Sequence, residues 1–400
     1  MDFLSLSSTN ETNELNSIIN ARRLYKSCVN QETIEADSVD FLLSLINNEF
    51  GGWPILQGPI WNNSTFNLSN LLLKMAEYNL NSIYVVMTTV DDKNSSMHAI
   101  GVGQGTLGLG ERQLYESESA LTNSYRQWIQ DLALILTNVT SMIDNDVTSI
   151  FEFEKKIAEY SSTTAEQIAH QKDNIRTTVK NLSNIINSSI DFSNYIRRVY
   201  ELVNVTLNDT DLVIVGEIEY LRNVSKLITQ YSSRTVRNYF IWSFMMKIID
   251  YMPKRYRATK QQFTQILEGA VAEVPRSLTC SSNVNSLMGF ALSRLYVPKY
   301  FDEKARNEAY RKWAQENPNA DKKLPGLNKY SREQLLFINY GQIWCAKIRD
   351  SFMSNFILAD VHSPPQFRVI GSTSNFVEFD RAFGCKPGQL NSRVNKCILW

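Results

Sequence analysis

Three histidines and five cysteines limit the chemistry open to this sequence. A hydrolytic zinc site of the helical kind sets two histidines four residues apart on one helix face, with a glutamate beside the first as general base. His98, His170 and His362 cannot make that pair, because no two of them lie within four residues of each other. His170, followed by Gln171 and Lys172, reads as a surface residue on a helix, and His98 as a structural or exposed residue in a loop. His362 has richer company in Asp360-Val361-His362-Ser363-Pro364-Pro365-Gln366-Phe367-Arg368-Val369-Ile370-Gly371. An acid there can fix the imidazole tautomer, and a guanidinium can hold a carbonyl or carboxylate. On its residues alone the stretch reads as a loop histidine with an ion pair.

Two further patterns could carry chemistry. Gly103-Gln104-Gly105-Thr106-Leu107-Gly108 has the glycine spacing of a dinucleotide loop. That site needs a strand directly before the string and a helix opening within it. Here a polar loop is expected before it, and Leu109-Gly110-Glu111-Arg112 delays any helix, so cofactor binding is not expected. Cys28, Cys280, Cys345, Cys385 and Cys397 contain no C-x-x-C pair, which excludes a zinc ribbon or a thioredoxin-like motif. Their wide spacing suits long-range disulfides in an exported protein or plain buried thiols, and composition leaves that choice open.

The elements that must hold these residues are mostly helical. Residues 1–50 read as helix, 51–70 as a Gly/Pro/Asn-rich loop, Ser82 to Met87 as a short strand ending before Asp91-Asp92, and 101–110 as a glycine-rich loop. From about 115 to 310 apolar residues recur at helical spacing. Ile150, Phe153, Ile157 and Tyr160 make one such stripe; Ile196, Val199, Tyr200 and Val203 another; Leu221, Val224 and Ile228 a third. Residues 317–330 read as a loop, about 331–350 as a helix, and the tail as irregular with short strands around Phe367–Ile370.

Composition sets outer bounds. The 400 residues are 43% hydrophobic and 20% charged with zero net charge, which is ordinary for a soluble globular chain. A nucleic-acid binder would show a basic excess; the densest basic stretch, Lys254, Arg255, Arg257 and Lys260, reads as a solvated helix face. The most apolar window, Tyr239 to Ile249, is too short to span a bilayer and contains Lys247. The start, Met1-Asp2-Phe3-Leu4-Ser5, lacks a basic, then apolar, signal peptide and points to the cytosol. Against that stand the cysteines and a weak excess of Asn-X-Ser/Thr sequons, at Asn10, Asn62, Asn63, Asn67, Asn94, Asn138, Asn181, Asn187, Asn204, Asn208 and Asn223.

Many short strings, all in one order, resemble the neprilysin and endothelin-converting-enzyme family of zinc metalloendopeptidases. They are Leu24-Tyr25-Lys26-Ser27-Cys28, Gly52-Trp53-Pro54, Asp92-Lys93-Asn94-Ser95, Gln104-x-x-Leu107-Gly108-Leu109 and Arg294-Leu295-Tyr296-Val297 in the first three quarters. Leu324-Pro325-Gly326-Leu327, Gln334 to Ile338, Gln342-Ile343-Trp344-Cys345, the His362 stretch, and Glu378-Phe379, Ala382-Phe383, Cys385, Cys397 and Trp400 follow. The likeness covers roughly residues 15–400. It implies a mainly α fold: a large helical domain of the neprilysin type over 1–308, and over 309–400 the C-terminal remnant of a thermolysin-like α/β catalytic domain. It implies that Ile343 and Trp344 border the pocket for the residue after the scissile bond. It also implies that His362 stabilises the oxyanion, Arg368 holds the peptide carbonyl and Asp360 orients the histidine. Cys28 should pair with Cys280, leaving Cys345, Cys385 and Cys397 without their family partners.

Two departures shape the expected function. Arg294–Asn307 runs straight into Ala309-Tyr310-Arg311-Lys312-Trp313, so the family block with the Asn-Ala-Tyr/Phe clamp, His-Glu-x-x-His and Glu-x-x-x-Asp is missing. The family's cytoplasmic tail, signal-anchor helix and first cysteine-rich segment, with its substrate-binding arginine, are missing as well. The expectation is a metalloendopeptidase relative that is catalytically inactive, with no metal ligands and no zinc of its own although the parent family uses zinc. By resemblance its setting is extracellular or the ectodomain of a membrane protein, its kin act on peptides, and nucleic acid plays no part. The alternatives are a non-catalytic peptide- or protein-binding homologue, and an incomplete record of an active zinc endopeptidase. Leu335, Leu336 and Trp344 are expected to be unusually exposed where the zinc helix would have packed.

Overall fold

A computed structural model describes residues 15–36, 39–64, 66–269, 272–300, 326–348, 353, 357, 362–389 and 391–396. Its elements run α1 (Asn16–Val29), α2 (Gln31–Ala36), α3 (Asp40–Phe50), α4 (Pro54–Gln57), α5 (Leu68–Glu77), β1 (Tyr84–Asp91) and β2 (Asn94–Gln104). Next come α6 (Ala120–Leu136), α7 (Ile143–Tyr160), α8 (Thr164–His170), β3 (Ile175–Thr178), α9 (Leu182–Ile186), α10 (Phe192–Glu201), β4 (Leu212–Val215), α11 (Ile218–Gln230) and α12 (Ser233–Ile248). They end with α13 (Lys254–Arg257), α14 (Gln261–Glu268), α15 (Arg276–Tyr300), α16 (Arg332–Ile343), α17 (Pro365–Ser374) and α18 (Val377–Phe383). The fold is mainly α. Contacts divide the chain into Glu32–Glu273 and a second unit made of Met1–Gln31 with Val274–Trp400. Among the described residues no helix is long and apolar enough to cross a membrane.

The larger unit is built around α12. Every residue from Thr235 to Met245 is buried, including Arg237 and Asn238, as expected of a helix with neighbours on all sides. Asn238 Oδ1 accepts from the Ile55 amide at 2.9 Å, so the buried polar group is satisfied on that side. Helix α7 contributes Ile150, Phe153 and Ile157 to the core at spacings of three and four, and α11 contributes Leu221, Val224 and Ile228. Tyr160 and Val203 depart from the expected stripes: both are exposed, and Val203 lies beyond the end of α10. The basic stretch also differs from its reading. Arg257 is buried, donates to Glu273 Oε1 at 2.7 Å and to the Met252 carbonyl at 2.6 Å, and so is a structural ion pair.

A four-stranded sheet in the order β1-β2-β4-β3 lies in this unit. β1 and β2 form an antiparallel hairpin, β2 and β4 run parallel, and β3 closes the far edge antiparallel to β4. Tyr84, Ile100, Val102, Val213 and Val215 are buried. The strand residues Gly101 and Gly103 correct the expectation of a loop over 101–110. Gly101 sits opposite Met87 and Gly103 opposite Val85. Glycine has no side chain with which to show alternation, yet a strand hydrogen-bonded on both sides holds it in place. β3 and β4 were likewise hidden within a stretch read as helical. Between α3 and α5 the expected loop contains α4 and a 3₁₀ turn, Gly58–Ile60.

In the smaller unit α1 buries Ile18, Ala21, Tyr25 and Cys28. Cys28 and Cys280 of α15 are disulfide-bonded, with Cα atoms 5.7 Å apart, and share a cluster with Ala21, Tyr25 and Val284. Arg276 Nε donates to the Cys28 carbonyl at 2.8 Å. Ser331 caps α16 in a reciprocal box with Gln334, and the helix stops at Ile343, short of the expected 350. Where short strands were expected around Phe367–Ile370, the chain forms α17. Pro365 stands in its first turn, where the missing N–H costs nothing, and this overrides the β preference of Val369 and Ile370. Phe337 packs edge-on against Phe376 and Phe379. Leu336 and Ile343 are 66% and 68% exposed, whereas Leu335 and Trp344 are only half-exposed.

Candidate functional site

The sequence-derived site residues that the structure describes are Ile343, Trp344, His362 and Arg368, all in the smaller unit. Asp360 lies outside the described residues, as does Cys397. Trp344 caps the C-terminus of α16. The Arg368 guanidinium lies over its ring, 4.6 Å from the centroid, a cation–π contact that also covers the indole. Arg368 Nε donates to the Ser363 carbonyl at 2.9 Å. Tyr340 and Ser372 hydroxyls meet at 2.9 Å and tie α16 to α17. The structure therefore brings Trp344 and Arg368 together. His362 is exposed just ahead of the Pro364-Pro365 step. A guanidinium held this way keeps further donors for a carboxylate or carbonyl. Cys345 and Cys385 are free thiols.

Among the described residues no three His, Cys, Asp or Glu side chains converge to hold a metal ion. His98 is exposed on β2, not in a loop, and His170 ends α8 with Nδ1 3.4 Å from Glu217 Oε1. A catalytic zinc takes three protein ligands and one open position. The described residues do not fit one.

The glycine string has a structural explanation. A strand does precede it, contrary to the polar loop expected there, but the turn that follows opens no α-helix. A Cβ on Gly105 would fall 2.5 Å from the Ile83 carbonyl carbon, and one on Gly108 would fall 2.1 Å from the Tyr125 hydroxyl. These glycines let the backbone approach its neighbours. Gly105→Ala is expected to destabilise the larger unit by about 1–3 kcal/mol, since backbone rather than a flexible side chain must move. Chemical denaturation measures this, and an unchanged midpoint would refute the packing role.

Beside the string, the sheet's open face holds a cleft of about 470 Å³ lined by Met87, Gly101, Gly103, Gln104, Ser162 and Glu217 among others. Part of its polar wall is already engaged. Gln104 exchanges two hydrogen bonds with the Ser162 backbone, at 2.8 and 2.7 Å, and Ser162 Oγ donates to Glu217.

Sequence reasoning missed a buried carboxyl whose titration is shifted. Glu154 is fully buried on α7. It accepts from the Gly108 amide at 2.8 Å, the Tyr125 hydroxyl at 2.8 Å and the Tyr239 hydroxyl at 3.2 Å. Trp242 Nε1 donates to the Tyr125 oxygen at 2.7 Å. Burial pushes the Glu154 carboxyl above the usual carboxylate range, against the opposing pull of these donors. The signal was present: Glu154 follows Phe153 on the stripe that carries Ile150 and Ile157.

Residues 2–315 and 299–399 match two family profiles, each described as Peptidase family M13. The chain is 26% identical to Neprilysin-11 of Caenorhabditis elegans over 74% of its own length and 36% of that protein. It is 28% identical to membrane metallo-endopeptidase-like 1 of Homo sapiens over 70% of itself and 38% of the relative. With neprilysin of Mus musculus the figures are 26%, 73% and 41%. The chain thus spans about two fifths of the length of these relatives. Among solved structures, Mycobacterium tuberculosis zinc metalloprotease ZMP1 in complex with inhibitor superposes with a TM-score of 0.60 at 16% identity, over 93% of this chain and 55% of that one. PepO from Lactobacillus rhamnosis gives 0.58 at 13% identity, over 98% and 60%.

Proposed function

The chain belongs to peptidase family M13, and we propose that it is a neprilysin-like member that does not itself hydrolyse peptides. One observation carries this reading: of its three histidines no two lie within four residues, so the paired-histidine helix of a hydrolytic zinc site cannot form. On this reading residues 1–308 correspond to the helical domain and 309–400 to the remnant of the catalytic domain. Ile343 and Trp344 would border a peptide side chain, while Arg368 and His362 would polarise its carbonyl and Asp360 would orient the histidine. Polarisation alone does not hydrolyse a peptide at a useful rate. Unbound water has a pKa of about 15.7, against about 7 on catalytic zinc. Peptides remain the class of molecule these residues suit, and an extracellular or membrane-ectodomain setting is the one that suits the disulfide.

The test is direct. The purified chain is expected to contain no stoichiometric zinc by elemental analysis. It should leave a quenched fluorescent peptide uncut whether or not phosphoramidon is present. One zinc per chain together with phosphoramidon-sensitive cleavage would overturn the proposal.

A further inference from the structure

The cleft on the open face of the sheet is roomier than the packing of the larger unit requires. Gly103 on β2 and Gly216, just after β4, both line it, and neither has a positive φ. A Cβ on Gly103 would meet nothing nearer than the Gly216 carbonyl oxygen at 3.9 Å, and one on Gly216 nothing nearer than Asn174 Oδ1 at 3.5 Å. Unlike Gly105 and Gly108, these two glycines answer to no close neighbour. A strand glycine of this kind marks a place where something else approaches the sheet. Val85, Met87 and Ile214 supply the apolar part of the floor. Three carboxylates, Asp92, Glu111 and Glu217, stand around it, and no lysine or arginine is among the lining residues described. Asp92 is neutralised by Arg176 at 2.5 Å. The other two meet uncharged donors. Glu111 is buried and accepts from the amide and hydroxyl of Thr164. Glu217 stands at the start of α11 but makes no capping bond to it. Its carboxylate instead accepts from Ser162 Oγ and lies 3.4 Å from His170 Nδ1. Carboxylates withdrawn from water onto neutral donors favour the arrival of a cation.

We propose that this cleft binds a peptide through one of its lysine or arginine side chains. Three features select that occupant. Among the described residues no three His, Cys, Asp or Glu side chains converge on a metal ion, which leaves an organic cation. The cleft, about 470 Å³, has room for more than one ammonium or guanidinium group, so flanking peptide residues fit as well. An apolar floor beside an acidic wall suits a side chain with an aliphatic stem and a charged head. The stem lies on Val85 and Met87, the gap above Gly103 and Gly216 admits the peptide backbone, and the head donates charge-assisted hydrogen bonds to Glu111 and Glu217. Binding here needs neither zinc nor Trp344 and Arg368. It can fail while the loss of hydrolysis stands, and the reverse.

The full chain is titrated by calorimetry at low salt with three probes: acetyl-Ala-Arg-Ala-amide, the same peptide with citrulline in place of arginine, and spermidine. Citrulline keeps the shape of arginine and loses its charge. The parent chain should bind the arginine peptide at least about tenfold more tightly than the citrulline peptide, the loss expected when hydrogen bonds to a charged group become neutral. Two variants locate the site. Gly103→Val fills the cleft from a position the fold leaves open, and valine suits a strand. Its denaturation midpoint should equal or exceed the parent's, while affinity for the arginine peptide falls at least about tenfold. Glu217→Gln keeps the size of the side chain at a left-handed position already occupied by a non-glycine residue. It should weaken the arginine peptide about fivefold and leave the citrulline peptide unchanged. The proposal would be overturned by no measurable binding of the arginine peptide, by equal affinity for the two peptides, or by undiminished binding in either variant. Tighter binding of spermidine than of the arginine peptide, or a lowered midpoint in Gly103→Val, would overturn it too.

Discussion

Glu154→Ala is expected to destabilise the larger unit by about 3–5 kcal/mol. The side chain removes no net packing element as large as a tryptophan, but it is the shared acceptor for Gly108, Tyr125 and Tyr239 in a place no solvent reaches. Each orphaned buried donor costs roughly 1–3 kcal/mol. Water entering the vacated space would relieve part of that. Glu154→Gln should cost less than about 2 kcal/mol. The amide keeps an oxygen for Gly108, and the Tyr125 proton has Met246 Sδ, 3.5 Å away, as another acceptor.

The same residue sets a pH dependence of known sign. Its folded pKa is raised, so between the unfolded and folded values the native state holds the extra proton. Stability from this group is therefore fully present below the ordinary carboxylate pKa and is lost as pH rises through the raised value. Glu154→Gln should abolish that slope and gain on the parent chain as pH increases. Trp128 and Trp242 stack edge-on 4.7 Å apart beside Tyr125, so tryptophan fluorescence during denaturation reports the network. Equal midpoints for the parent and Glu154→Ala at every pH would show that the buried carboxyl contributes nothing.

How much of this was legible beforehand depended on whether the signal was local. The stripe Ile150, Phe153 and Ile157 is local, and α7 formed where helical periodicity placed it. Leu212-Val213-Ile214-Val215 was also a legible apolar run bounded by Asp211 and Gly216, but a periodicity reading tuned to helices passes over four residues. Gly101 and Gly103 carry no local strand signal at all; their partners Met87 and Val85 come from the preceding strand. α17 was hidden in the same way, because Phe367, Val369 and Ile370 look like strand and only Pro365 hints at a helix start. At the candidate site, the residue types came from resemblance. The Trp344–Arg368 contact is set by how α16 and α17 pack, which no spacing within either segment reveals. Glu154 shows the converse: its place on the stripe was visible, but its partners lie 46, 29 and 85 residues away.

Removing the Cys28–Cys280 bond is the second large expected effect. The two cysteines are separated by 252 residues and bracket the whole of 32–273 in sequence. Closing so long a loop restricts the unfolded chain strongly. The chain-entropy relation gives about 5 kcal/mol at this length, and measured losses of native disulfides run about 2–5 kcal/mol. The native side of the balance changes little, because Cys28 and Cys280 are buried with Ala21, Tyr25 and Val284 and a Cys→Ala pair keeps most of that contact. The double variant Cys28→Ala/Cys280→Ala should therefore unfold at lower denaturant with α1 and α15 opening first to protease. A thiol reagent should react with native Cys345, which is exposed, with or without the bond. Added reductant should shift the parent chain toward the double variant and leave the double variant itself unmoved. A reductant effect of the same size on both would mean that the stabilisation comes from some other oxidised pair, and the entropic argument for Cys28–Cys280 would fail.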